Sequence, residues 1–109
     1  MSMDFAISVL TLVKDLKSKR ESIISNQLGR SATSIGANIR EAQYAHSRPD
    51  FIAKLQIALK ESNETDYWLE LLFRTGYIDE LYYRQLDRQC TAIRTTLIAS
   101  IKTAKGEGS

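Results

Sequence analysis

The chain has 109 residues, 43% hydrophobic and 26% charged, with a net charge of +2. That length fits one domain with no second core, and so small a charge points to no polyanionic partner by itself. One cysteine, Cys90, excludes an intrachain disulfide and a cysteine-based metal cluster and agrees with a reducing, cytoplasmic setting, while no apolar run approaches the ~20 residues of a membrane span.

The first predicted helix covers residues 4 to about 20. Phe5, Val9, Leu12 and Leu16 recur at spacings of four, three and four, which marks one helical face. Leu10 and Val13 widen that stripe, and Lys14 and Lys17 lie across from it. The polar run Lys17–Ser22 is a join that the helix has some freedom to cross.

Residues 23 to 45 predict a second helix. Its stripe is Ile24, Leu28, Ala32, Ile35, Ile39 and Ala42. A line of small residues runs beside it: Ser22, Ser25, Gly29, Ala32 and Gly36. A glycine inside a helix costs about 1 kcal/mol relative to alanine, so this line implies close packing within the bundle or a subunit contact.

Ser47-Arg48-Pro49-Asp50 has the chemistry of a helix start: a capping hydroxyl, a proline in the first turn and an acid near the positive helix end. The third helix then runs to about Thr75, with Phe51, Leu55, Ala58, Ser62, Thr65, Leu69 and Leu72 facing inward. Gly76 supplies the stop. Asp79 caps a fourth helix whose core positions are Leu81 or Tyr82, then Leu86, Cys90, Ile93, Leu97 and Ile101. Four long helices with short joins predict an all-α, antiparallel up-down-up-down four-helix bundle. It forms one domain over residues 1–105, followed by a flexible tail at 106–109.

Two features exceed what a core needs. Tyr67-Trp68-Leu69 and Leu71-Leu72-Phe73 cannot all point inward at 100° per residue, and Tyr77, Tyr82 and Tyr83 follow them. The excess predicts a protein contact, most simply a homo-oligomer. Glu61, Glu64, Asn38 and Glu41 sit at the edges of the buried stripes, where a polar network with Arg40 or a neighbouring subunit, flanked by Trp68, would fix one register.

Charge is unevenly distributed. Seven Lys/Arg oppose three acids between Lys14 and Arg48, six acids oppose one base between Glu61 and Glu80, and five bases oppose one acid between Arg84 and Lys105. Lys14, Lys17 and Arg20 on the first helix, with Arg84 and Arg88 on the fourth, are the candidate phosphate contacts. A solvated helix face is the alternative for all five.

No phosphate loop, metal-ligand set or nucleophile motif is present, and no cofactor is implied. Arg40 and His46 are spaced like the Arg-x(4–6)-His element of HEPN ribonucleases. An unbroken helix would hold them about 120° apart, so they converge only if the helix ends near Tyr44.

The run Arg30-Ser31-Ala32-Thr33-Ser34-Ile35-Gly36-Ala37-Asn38-Ile39-Arg40-Glu41-Ala42 resembles the signature of the ribosomal RNA intervening-sequence proteins. Phe51–Ala58, Lys60–Thr65 and Tyr67-Trp68-Leu69 resemble that family's third helix. The similarity spans roughly residues 5 to 102, and Ala42 departs from it where glycine is usual. The resemblance implies a homopentamer of four-helix bundles. Through a related accessory protein of diversity-generating retroelements, it also implies binding to RNA or DNA and to a reverse transcriptase. It supplies no catalytic residue.

Overall fold

The computed structural model describes residues 1–106. Four helices make up almost all of it: α1 (Ser2–Ser18), α2 (Ile23–Gln43), α3 (Arg48–Arg74) and α4 (Glu80–Ala104). Each packs on its chain neighbours, and α4 closes the bundle against α1, while the diagonal pairs α1/α3 and α2/α4 do not pack. The cross-helix contacts run antiparallel throughout. A Cβ on Gly29 would meet Val13, and one on Gly36 would meet Ser2. Arg30 reaches Glu61 and Lys54 approaches Glu41. The Cys90 thiol donates to the Ser62 carbonyl, and Phe73 stacks on Tyr83. The result is the up-down-up-down bundle that the four stripes predict.

The inward positions are those of the stripes. Phe5, Val9, Leu12, Leu16, Leu28, Ala32, Ile35, Leu55, Ala58, Leu69, Leu72, Leu86, Cys90, Ile93, Leu97 and Ile101 are buried. One assignment changes and one open choice is decided. Leu10 is 47% exposed and does not widen the core face of α1, whereas Val13 is buried against α2. On α4 the choice falls to Tyr82, since Leu81 is 67% exposed.

The ends follow the local chemistry. Ser47 Oγ accepts from the Asp50 amide (3.2 Å) and Asp79 Oδ1 from the Tyr82 amide (2.8 Å), capping α3 and α4. Gly76, at φ +84°, closes α3: its amide bonds the Phe73 carbonyl and the next amide bonds Leu72. The same motif ends α1, but with Arg20 in the left-handed position at φ +66°. The chain therefore turns at Arg20 and α1 stops at Ser18, within the polar run and without crossing it. Glu21 then caps α2, its carboxylate accepting from the Ile24 (2.9 Å) and Ser25 (2.7 Å) amides at the positive helix end. After α2 the turn closes without glycine, Ala42 remaining helical and buried. Gly106 also has a positive φ, +77°, while residues 107–109 of the expected tail lie outside the described residues.

Candidate interaction surfaces

The antiparallel course of α1 and α4 brings Lys14, Lys17, Arg20, Arg84 and Arg88 to one end of the bundle, where Asp15 and Tyr82 are neighbours. All five are exposed. Arg84 is held by Glu80 at 2.7 Å, and among the described residues the other four form no ion pair. They do not merge into one patch. Lys14 continues the α1 row of Met3, Ile7 and Leu10, whereas Arg84 and Arg88 stand on the solvent side of α4, away from Leu86 and Cys90. This end also carries Asp15, Glu21, Glu70, Asp79, Glu80 and Asp87. Among the described residues the opposite end is less compensated: Arg40, Arg48, Lys54, Lys102 and Lys105 stand with Asp4, Glu41 and Asp50.

The polar network on the α2–α3 flank keeps Glu61, Glu64 and Trp68 of the five residues the sequence suggested and adds Arg30. Its centre is Arg30, which bonds Glu61 at 3.1 Å and also Glu64. Trp68 Nε1 donates to the same Glu64 carboxylate at 3.2 Å. Hydrogen bonds from Arg30 hold the Glu64 carboxyl below its usual range and, reciprocally, raise the guanidinium. Beneath it, the buried Thr65 hydroxyl donates to Ser31 Oγ at 2.8 Å. Asn38 and Glu41 do not join. The Asn38 amide donates to Ser34 on its own helix, and Glu41 lies exposed, 4.0 Å from Lys54.

On the α3–α4 flank two carboxylates meet. Asp66 faces Asp87, with Arg94 at 3.6 Å from Asp66 Oδ2, and Asp66 Oδ1 is buried without a hydrogen-bond partner among the described residues. Burial first, and the Asp87 carboxyl second, push Asp66 up to about 6. Burial also pushes the Cys90 thiol up to about 12, so it stays protonated and unreactive at neutral pH. Sequence reasoning missed Arg30, Asp66, Asp87 and Arg94. For the last three a signal existed: each directly follows a core position (Thr65, Leu86 and Ile93) and so lies at the edge of a buried stripe.

The apolar excess is also placed differently. Of the α3 aromatics, Trp68 and Phe73 are half-buried and only Tyr67 is largely exposed, while Tyr82 and Tyr83 pack on the core. The open apolar surface lies instead between α1 and α2. Met3, Ile7 and Leu10 stand exposed beside Gly36, Ala37 and Tyr44, lining a groove of about 770 Å³. The small residues of α2 do pack toward α1, but a Cβ at Gly29 or Gly36 would sit 3.6 Å from its nearest neighbour, an ordinary contact. Packing within the subunit therefore does not require either glycine.

Arg40 and His46 are both exposed, and α2 ends at Gln43, giving the break that their convergence requires. No group of three or more His, Cys, Asp or Glu able to hold a metal occurs among the described residues. No helix among them is long and apolar enough to cross a membrane.

These features define an all-α bundle whose candidate sites are surfaces rather than an enclosed centre. The chain belongs to the 23S rRNA-intervening sequence protein family, whose pattern matches residues 1–99. It is similar to a solved structure described as a protein of unknown function from the S23 ribosomal protein family of Bacteroides thetaiotaomicron VPI-5482. The two are 53% identical, with a TM-score of 0.91 over 93% of this chain and 94% of that one. No curated protein matches the chain.

Proposed function

We propose that this protein is a non-catalytic, ring-forming bundle that binds RNA or DNA through exposed basic side chains, as an accessory to a nucleic-acid-processing enzyme. The observation that carries the binding is the group Lys14, Lys17, Arg20 and Arg88, exposed at one end and unpaired among the described residues. A ring of five repeats that group, so weak phosphate contacts add along one polyanion. The affinity falls steeply as salt rises. Lys14→Ala, Lys17→Ala and Arg88→Ala together reduce the slope of log K against log salt by about three, roughly one per contact. A mutant slope equal to the parent's would sink the assignment, and an effect from Lys102→Ala plus Lys105→Ala instead would move the surface to the opposite end.

The α1–α2 groove is the proposed seat of the neighbouring subunit. Exposed Met3, Ile7 and Leu10 favour that reading, as does a glycine at position 36 that the subunit's own packing does not require. Ile7→Lys plus Leu10→Lys shifts the mass in light scattering from a pentamer to a single subunit of 12.3 kDa without loss of helix. An unchanged assembly removes the groove from this role. The same groove also suits a protein scaffold that acts without nucleic acid, which a pull-down surviving the triple basic-to-alanine change would favour.

A further inference from the structure

The proposed function makes no use of the polar seam between α3 and α4, which has an unusual composition. Asp66 projects from α3 toward α4, and its Oδ1 is buried with nothing to receive a hydrogen bond from. The groups facing it from α4 are Asp87 and Arg94, with Tyr83 and Cys90 on the same helix close enough to feel its charge. On α3 itself Glu70 stands one turn away, paired with Arg74. α2 meets α3 on the other flank, where Arg30 is taken by Glu61 and Glu64. The seam thus holds two carboxyl groups against a single guanidinium, which stands 3.6 Å from Asp66 and also bonds the Thr91 hydroxyl.

A carboxylate oxygen only accepts hydrogen bonds, and a protonated carboxyl donates one. With Asp66 ionised, the orphaned Oδ1 and the facing Asp87 both act against the seam. With one proton added, the pair closes as carboxyl to carboxylate, and Arg94 balances the single charge that remains.

We propose that Asp66 and Asp87 share one proton across the α3–α4 seam in mildly acidic solution, and that losing it toward neutral pH loosens the packing of α4 on α3. The folded state then binds more protons than the unfolded state across that window, so stability falls as pH rises. The window opens near 3.8, the ordinary aspartate value, and closes at about 6, where Asp66 titrates in the fold. A separation of about two pH units corresponds to on the order of a 100-fold change in the folding equilibrium.

The test is urea denaturation of the full chain at fixed protein concentration from pH 4.5 to 8, for the parent and Asp66→Asn. The parent loses stability from pH 4.5 to about 6 and is level above that. Asp66→Asn is flat over that range relative to the parent and is the more stable of the two at pH 7.5, because its amide donates where the carboxylate could not. Parent and variant are both measured in a His46→Gln background, which takes the one histidine out of the comparison. An Asp66→Asn curve parallel to the parent's, or a parent whose stability rises with pH after that correction, overturns the proposal. If the variant does not fold, the ¹³C carboxyl shift of Asp66 in the parent decides. A midpoint near 6 supports the shared proton and a midpoint at or below 4 eliminates it.

Discussion

The two flanks of α3 solve the same problem in opposite ways. Toward α2, two glutamates share one arginine, a tryptophan N–H adds a donor, and the Thr65 and Ser31 hydroxyls bond each other below. Toward α4, two aspartates face one arginine at longer range and one buried oxygen has no partner. The carboxylate-to-guanidinium ratio is the same. Donor distance and donor number differ, and they reverse the sign of the pH response. Glu64 is held down by Arg30, so its contribution is complete above the ordinary value of 4.5 and disappears as pH falls below it. Asp66 is pushed up, so its flank gains stability on mild acidification. Counting charges does not distinguish such seams; tracing each donor to an acceptor does.

The sharpest way to break the comparison is to remove what both flanks rest on. Leu69 is fully buried, and Leu69→Ala lowers stability by about 3–4 kcal/mol in urea titrations. If the flanks are independent, the acid and neutral pH responses survive that loss; disappearance of either one shows that they are coupled. Arg30→Met acts on one flank alone. It leaves Glu61, 9% exposed, without its cation, and costs about 1–3 kcal/mol at pH 7, shrinking at acid pH as Glu64 protonates. Arg94→Met acts on the other. It pushes Asp66 further up, costs about 1 kcal/mol at pH 7.5, and extends the fall in stability to higher pH. The smallest change lies outside both seams: Arg20→Gly relieves a left-handed residue and raises stability by up to about 1 kcal/mol with the pH profile unchanged.

The fold was legible because long stripes of Leu, Ile and Val carry their period in every turn. Phe5, Val9, Leu12 and Leu16 need no partner to declare their face. Polar positions lack that property. Glu61 was recognisable as an edge residue beside Ser62, yet its partner Arg30 lies thirty-one residues away, and only the register of α2 against α3 selects it over Arg40. Leu10 misled for a related reason: at the margin of a stripe, a leucine reads alike whether it closes the core or lines an open groove. The basic residues show a further limit. Their exposure and common end follow from the helices, but the compensating acids of other helices become visible only once the bundle closes.

The circuit of contacts is uneven: α1 lies along α2 but meets α4 over a shorter stretch, while α3 is held firmly on both sides. The first helix is therefore the cheapest to detach, and α2–α4 would persist as a three-helix remnant with α1 swung away. Slowed amide hydrogen exchange should rank α1 as the first to open. Because the groove has α1 as one wall, it exists only while that helix is docked. Any occupant of the groove therefore latches the bundle shut, and its dissociation releases the latch.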